Sequence, residues 1–172
     1  MDSGADGRRQ HAALRITVPD MTAVDAIADL WAELADDQQQ FGSHLHSEAN
    51  RGAIRETLAG HVVTETVLVA QDPDLLGFVT FKLEAGRYKQ DVTRGIVVNL
   101  FVQPQRRNEG IGSALLEAAE RELAAAGADV VALDVLATNA DAVRFYDRHG
   151  YRPHRIEMEK RVESDRHTKE DG

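Results

Sequence analysis

A glycine-containing turn between a strand and a long helix is the feature that most restricts the fold of this chain. The segment is Gln103-Pro104-Gln105-Arg106-Arg107-Asn108-Glu109-Gly110-Ile111-Gly112-Ser113. It follows an almost continuously apolar strand predicted at residues 94–102 and begins a helix predicted at residues 110–126. Glycine lets backbone N–H groups approach a ligand, and a helix start carries partial positive charge. The turn therefore predicts an anion-binding loop, with an ordinary turn that caps a core helix as the alternative.

The hydrophobic pattern elsewhere predicts alternating strands and helices in one domain, residues 13–162, between a flexible leader at 1–12 and a flexible tail at 163–172. Predicted strands lie at residues 14–18, 66–71, 76–84, 94–102, 130–135 and 156–162. One predicted helix begins near residue 22, and a loop is predicted over residues 36–50. Three further helices are predicted at residues 51–59, 110–126 and 140–149, and Gly60 is expected to end the first of these three. The Asp72-Pro73-Asp74 turn predicts an antiparallel hairpin, and the strand–helix–strand order of residues 94–135 predicts parallel neighbours.

Composition excludes several classes of function. The net charge of −9 argues against nucleic acid, and it suits solubility or the attraction of a cationic amine. The chain has no cysteine, so disulfides, thiolate metal ligands and a cysteine acyl-enzyme are excluded. No apolar run is long enough for a membrane span and the amino terminus has no signal-peptide pattern, so a cytoplasmic protein is expected. His44 and His46 lack a neighbouring carboxylate, and we interpret them as loop residues near the substrate mouth, with no metal site expected.

Two common phosphate-binding motifs do not fit the turn. A P-loop needs a Gly-Lys-Ser/Thr run, which is absent. A dinucleotide fingerprint needs a small residue where Leu115 stands, and it usually follows the first strand of its domain. A nucleotide-binding α/β domain is therefore a poor interpretation of this chain.

The segment Arg107-Asn108-Glu109-Gly110-Ile111-Gly112 resembles motif A of the GCN5-related N-acetyltransferase (GNAT) family, Arg/Gln-x-x-Gly-x-Gly/Ala. Where this family often has glycine after the arginine, the chain has Asn108, which tolerates a left-handed backbone. In the family, N–H groups of the loop bind the pyrophosphate of coenzyme A. The resemblance implies a coenzyme A site formed by Arg107, Asn108, Glu109, Gly110, Ile111, Gly112 and Ser113.

A second segment, residues 139–151, is similar to motif B of the same family, Asn-x-x-Ala-x-x-Phe/Leu-Tyr-x-x-x-Gly-Phe/Tyr. The resemblance implies that Asn139 binds the pantetheine arm, although asparagine is also a favoured helix N-cap and one side chain rarely does both. It implies that Tyr146 donates a proton or hydrogen bond to the departing thiolate; a buried aromatic with a satisfied hydroxyl is the alternative. Phe145, Gly150 and Tyr151 are interpreted as packing and helix termination.

The family resemblance implies a GNAT fold, an α/β arrangement with a mixed central sheet of about six to seven strands and about four helices. Two parallel strands, here residues 96–102 and 130–135, separate around the pantetheine, so that Leu100, Phe101 and Val102 offer backbone groups. The implied activity is direct transfer of an acetyl group from acetyl-CoA to a primary amine of a small molecule or a protein N-terminus. The family is often homodimeric.

The attacking amine must lose a proton, and the sequence offers one main acceptor. Asp134 precedes Asn139 by five residues, where relatives resembling ribosomal-protein N-terminal acetyltransferases have a catalytic glutamate, and the shorter aspartate would act through a water. Asp134 could instead satisfy backbone groups at a strand end. Glu33 and Glu84 are reserve candidates, and bulk water is a further acceptor.

A non-catalytic acyl-CoA-binding sensor or adaptor is the alternative function. Such a module would keep residues 107–112 and could lose Tyr146, so the presence of Tyr146 favours the enzyme. The acceptor amine is not defined by a motif, since residues 31–50, where substrate choice is expected, contain none.

Overall fold

Five strands form one mixed sheet in the part of the chain that the computed structural model describes, residues 13–86 and 88–162. The strands are β1 (Arg15–Thr17), β2 (Val67–Asp72), β3 (Asp74–Leu83), β4 (Arg94–Val102) and β5 (Val130–Leu133). The helices are α1 (Val24–Gln39), α2 (Arg51–Val63), α3 (Ile111–Ala125) and α4 (Ala140–Arg148). Neighbours from β1 to β4 are antiparallel, including the predicted β2–β3 hairpin, and β4 and β5 are parallel as predicted. The predicted leader and tail lie outside the described residues.

Alternate side chains of the sheet pack against different helices. Val67 and Val69 belong to the core that α1 and α2 cover, whereas Leu68 and Ala70 belong to the core that α3 covers. This alternation follows from the two-residue period of a strand, and each fully buried aliphatic side chain contributes about 1.5–3 kcal/mol. At Gly95 a Cβ would lie 2.9 Å from the side chain of Leu123, so a side chain there would push α3 away from β4.

β4 and β5 pair over only part of the length of β4. Their register runs from Arg94 opposite Val130 to Val97 opposite Leu133, while β4 continues along β3 as far as Val102. The β3–β4 register shifts where Thr80 faces Asn99 and Phe81 faces Val97, which leaves Val98 as an extra residue of β4. Beyond this bulge, the second edge of β4 has no strand partner among the described residues. The parallel strands therefore separate, as the family resemblance implies.

Two helices are longer than the sequence pattern predicts. The first continues to Gln39, past the start of the predicted loop at residue 36, and its last turn contains Asp37, which pairs with the distant Arg107. The second continues through Gly60 to Val63. A glycine inside a helix costs only about 0.5–1 kcal/mol, and burial of Leu58 and Val62, four residues apart, outweighs that cost.

The predicted last strand, residues 156–162, does not pair with the sheet. Residues 151–162 contain no turn, bend or helix, and every residue from Arg152 to Val162 is exposed. The prediction of six to seven strands was therefore wrong for the described residues, which contain five. The alternating pattern of Ile156 and Met158 indicates an extended chain, but it does not determine whether a neighbouring strand is in reach. Within the described ranges, no helix is both long and apolar enough to cross a membrane.

Candidate active site

The turn before α3 presents backbone N–H groups at the carboxyl end of β4. Asn108 has a φ of +64°, the left-handed backbone that its residue type is expected to tolerate, and Gly110 has a φ of +80°. Gly110 is the N-cap of α3 and has no side chain to accept hydrogen bonds from the first turn. The N–H groups of Ile111, Gly112 and Ser113 therefore remain available at the positive end of the helix dipole.

The side chains of this turn have partners within the protein. The Arg107 Nε donates to the Val102 carbonyl at 3.1 Å, its guanidinium binds the Asp37 carboxylate at 3.0 Å, and its Cζ lies 5.5 Å from the centre of the Phe101 ring. The Glu109 carboxylate accepts from the Arg106 Nε at 2.8 Å. These contacts tie the turn to α1 and fix its shape, while its backbone carries the anion-binding capacity.

Backbone groups of alternate β4 residues point to the open edge left by β5. The Gln103 N–H donates to the Leu76 carbonyl at 2.8 Å and therefore points toward β3. Because hydrogen-bonding direction alternates along a strand, the backbone groups of Leu100 and Val102 point away from β3, and those of Phe101 point toward it. Of the three predicted backbone contacts, Leu100 and Val102 thus face the gap between the parallel strands.

Helix α4 is fastened to the start of α3, which brings the two sequence motifs together. A Cβ on Gly112 would lie 3.5 Å from the Phe145 ring, an ordinary van der Waals distance, so the Phe145 ring lies directly beside the first turn of α3. The His149 Nδ1 lies 2.8 Å from the Phe145 carbonyl, which can only accept, so Nδ1 carries a proton. In the neutral ring, Nε2 then accepts from the Ser113 hydroxyl at 3.0 Å. The Tyr151 hydroxyl donates to Glu120 of α3 at 2.7 Å.

Tyr146 packs against the core under α3, and its hydroxyl has no hydrogen-bond partner among the described residues. Its ring makes edge contacts with Phe145 and Tyr151, at centroid distances of 5.2 and 5.8 Å. Every fully buried polar side-chain atom of the described residues has a hydrogen-bond partner. Since the Tyr146 hydroxyl has none, its oxygen is not fully buried and is accessible from outside the protein. Burial of the side chain raises the pKa of Tyr146 to about 12, so the hydroxyl is a neutral donor at pH 7.

Asn139 is the N-cap of α4. Its Oδ1 accepts from the Ala142 N–H at 3.1 Å, which is the helix-capping alternative considered from sequence. The cap leaves the Nδ2 hydrogens as its remaining polar capacity. The residue before it, Thr138, donates from its hydroxyl to the Phe41 carbonyl at 2.7 Å. The segment that leads into motif B is thus attached to the loop after α1.

Asp134 is the first residue after β5 and is exposed. It stands next to the last β4–β5 pair, Val97 and Leu133, where the two strands begin to separate. Glu84, in contrast, pairs with Arg94 at 3.1 Å, at the start of β4. Asp134 follows the Val97–Leu133 pair and is thus level with Val98, four residues or roughly 13 Å along β4 from Arg94. Glu33 lies on the exposed side of α1. Of the three carboxylates proposed from sequence, Asp134 is the one that lies beside the gap.

Sequence reasoning missed two residues that shape this site. Asp37 was assigned to a loop and His149 to the end of a helix, and both contact the phosphate turn through partners far away in the sequence. No local pattern could reveal either pair. His44 binds the exposed Glu159 at 3.1 Å, and the described residues contain no group of three or more His, Asp or Glu side chains suited to a metal ion.

Comparison with known proteins agrees with the two motifs. The family model described as the acetyltransferase (GNAT) family matches residues 27–151. A mycothiol acetyltransferase of Clavibacter michiganensis is 32% identical over 177 residues, covering 92% of this chain and 56% of that protein. An aminoalkylphosphonate N-acetyltransferase of Salmonella typhimurium is 30% identical over 111 residues, covering 63% of this chain and 71% of that protein. The chain spans little more than half the length of the mycothiol acetyltransferases it matches.

Solved structures show the same fold. The PaiA N-acetyltransferase of Thermoplasma acidophilum, solved in complex with coenzyme A, has a TM-score of 0.71 and 19% identity, covering 84% of this chain and 93% of that one. A GCN5-related N-acetyltransferase of Ralstonia eutropha has a TM-score of 0.70 and 21% identity, covering 87% of this chain and 99% of that one.

Proposed function

Because the chain belongs to the acetyltransferase (GNAT) family, we propose that it transfers an acetyl group directly from acetyl-CoA to a primary amine. The observation that carries this proposal is the meeting of two features at one end of the sheet. The uncapped start of α3 and the open edge of β4 lie next to each other, since a single turn connects them.

Both features fit acetyl-CoA, which combines a pyrophosphate with an extended arm that contains amides. A Cβ at Gly110 would meet no atom within 4 Å, so the turn has space beside its N–H groups. Ile111, Gly112 and Ser113 would hold the pyrophosphate through these N–H groups. Leu100 and Val102 would bind the arm as a neighbouring strand does, since their backbone groups face the gap. When bound, acetyl-CoA supplies the acetyl group as an activated thioester.

Tyr146 would stabilise the departing thiolate by hydrogen bonding. An ordinary thiol has a pKa of about 8.5, roughly 3.5 units below that of the Tyr146 hydroxyl, so complete transfer of the tyrosine proton to the thiolate is unfavourable. A hydrogen bond from the neutral hydroxyl does not require that transfer, and it strengthens as negative charge develops on sulfur. The sequence leaves two roles for Tyr146, donation of a proton or of a hydrogen bond to the thiolate. The raised pKa of Tyr146 favours donation of a hydrogen bond.

Asp134 would receive the proton of the attacking amine. The residue lies at the point where β4 and β5 separate, and its exposure allows a water to stand between its carboxylate and the amine. A carboxylate there would also attract a protonated amine before it loses its proton. The protein would also hold the amine next to the thioester, which removes a large entropic barrier to the reaction.

The acceptor is proposed only as a primary amine. One of the two relatives is named for mycothiol and the other for aminoalkylphosphonate, and the chain differs from both at most positions. A screen with acetyl-CoA and a panel of amines tests the proposal: aminoalkylphosphonates, amino sugars, polyamines, amino acids and peptides with free N-termini. Release of free thiol that depends on one class of amine supports it. Tight binding of coenzyme A with no release for any class would favour the non-catalytic sensor or adaptor.

A further inference from the structure

A hydrogen bond between Ser113 and His149 joins the first turn of α3 to the end of α4. The Ser113 hydroxyl lies 3.0 Å from the His149 Nε2, although the two residues are 36 positions apart in the sequence. Side chains of a helix tilt toward its amino-terminal end, so the hydroxyl of Ser113, the third residue of α3, leans toward the phosphate turn. The hydroxyl is thus a further polar group at the place where the backbone N–H groups would hold a pyrophosphate.

The ring of His149 is held in one orientation. Its Nδ1 lies 2.8 Å from the Phe145 carbonyl, which can only accept a hydrogen bond, so Nδ1 carries a proton whether the ring is neutral or charged. The Phe145 ring packs beside the imidazole, with 4.4 Å between the ring centres. Nε2 is therefore the nitrogen that gains or loses a proton, and this nitrogen faces Ser113.

The charge of His149 determines which way the Ser113 hydrogen points. In the neutral ring, Nε2 accepts from the Ser113 hydroxyl, so the hydroxyl presents only its lone pairs to the turn, and these repel a phosphate oxygen. In the protonated ring, Nε2 donates to the Ser113 oxygen, and the hydroxyl hydrogen becomes available to a phosphate oxygen. Protonation thus adds one hydrogen-bond donor to the turn and places a positive charge behind that donor.

The place of His149 between two helix ends favours the protonated ring when an anion is bound. His149 is the C-cap of α4, where the negative end of the helix dipole attracts a cation. The start of α3 carries partial positive charge, which opposes a second cation until an anion neutralises it. A bound anion and a proton on His149 therefore stabilise each other.

The other ionisable groups around the pair do not change charge near neutral pH. Those on the adjoining turns of the same elements are Glu109, Glu117, Glu120, Tyr146, Asp147 and Arg148. Three of the carboxylates have partners of their own, in Arg106, Tyr151 and Arg152. Carboxylates, guanidinium groups and phenols ordinarily titrate outside the range from about pH 6 to about pH 8, in which a histidine changes charge. His149 is therefore the group of this set that can couple a proton to anion binding there.

We propose that His149 is a positioning residue for coenzyme A, which takes up a proton when the cofactor binds and, through the Ser113 hydroxyl, directs a hydrogen-bond donor at the pyrophosphate. One proton passes from solvent to Nε2 as the complex forms, and no covalent bond changes. The inference rests on the proposed coenzyme A site and deepens it. Because binding takes up a proton, coenzyme A binds more tightly as pH falls through the range in which a histidine titrates.

Dephospho-coenzyme A, which lacks the 3′-phosphate, is the ligand for the test, since a phosphate monoester itself titrates at about pH 6. Calorimetric titration measures its dissociation constant, and repetition in buffers of different ionisation enthalpy counts the protons taken up. The wild type is expected to bind roughly 5–10-fold more tightly at about pH 6 than at about pH 8, with net uptake of a proton fraction between them.

Two variants separate the proton from the packing of the pair. His149→Gln keeps a side chain that can hydrogen-bond to Ser113 but cannot titrate, and Ser113→Ala removes the hydroxyl while the imidazole stays. Both are expected to bind within about 3-fold of the wild type at about pH 8, to change less than about 2-fold down to about pH 6, and to take up no proton. His154→Gln is the matched control, because His154 is exposed beyond α4. This variant is expected to keep the pH dependence of the wild type.

Each other result decides against the inference. A wild type whose affinity is independent of pH, or a pH dependence that survives in His149→Gln or in Ser113→Ala, would overturn it. Loss of binding by both variants at about pH 8 would make the pair a structural contact only. All of these results leave the proposed acetyl transfer standing, whereas a wild type that binds neither dephospho-coenzyme A nor coenzyme A at any pH would overturn both proposals.

Discussion

Replacing Gly110 with valine separates the shape of the phosphate turn from the stability of the fold. Gly110 has a φ of +80°, and a Cβ there would meet no atom within 4 Å, so valine is strained without a clash. A β-branched residue in the left-handed region costs about 1–3 kcal/mol. The backbone relieves that strain by turning toward negative φ, which redirects the N–H groups of Ile111 and Gly112. Each lost hydrogen bond to a charged group is worth about 1.5–3 kcal/mol, so coenzyme A affinity should fall at least ~10–100-fold.

Gly127 is a matched control at the other end of the same helix. Its φ is +99°, a Cβ there also meets no atom within 4 Å, and the 15 residues of α3 place it roughly 22 Å from Gly110. Gly127→Val should lower the melting temperature about as much as Gly110→Val and leave the dissociation constant of coenzyme A unchanged. Calorimetric titration and thermal melts measure both quantities. Wild-type affinity in Gly110→Val, or equal weakening in both variants, would refute the reasoning.

Three further predictions concern the reacting groups. Tyr146→Phe removes a hydrogen-bond donor to developing negative charge, so it should lower kcat roughly 10²–10³-fold with little change in the coenzyme A dissociation constant; unchanged turnover would make Tyr146 a packing residue. Asp134→Asn should abolish the acidic limb of the kcat/KM profile or reduce the rate at every pH; a limb that survives at near-normal rate would show that the amine is already neutral when it binds. Because burial raises the pKa of Tyr146 to about 12, above about 10 in the unfolded chain, the unfolded state loses its proton first as pH rises. The contribution of Tyr146 to stability should therefore be constant below about pH 10 and be lost from about pH 10 to 12, so stability should fall less over that range in Tyr146→Phe than in the wild type, as measured by denaturant titration.

The sequence predicts well where the information is local. The bounds of β4 agree with prediction, because nine residues with a nearly continuous apolar pattern leave little choice of boundary. The positive φ at Asn108 also agrees, since asparagine is one of the few non-glycine residues that adopt that backbone. Such features depend on a few neighbouring residues, so the pattern alone determines them.

Contacts between distant residues account for what the sequence does not predict. Asp37 and Arg107 are 70 residues apart, and their ion pair joins the last turn of α1 to the guanidinium of the motif A arginine. A resemblance identifies the arginine but not its partner. The same holds for Ile156 and Met158: their alternation predicts an extended strand, whereas the neighbour of that strand depends on how the whole chain, or a second copy, is arranged.

Isotope-labelled acetyl transfer tests the central claim most directly. The protein is incubated with acetyl-CoA labelled in the acetyl group and with each amine class, and mass spectrometry follows the label. Because the chain contains no cysteine, no protein thiol can accept the label or interfere with detection of free coenzyme A. The proposed function predicts that the label appears on one class of amine in step with released coenzyme A, and that Gly110→Val slows both. Coenzyme A that binds at the turn while the label stays on the thioester with every amine would contradict it.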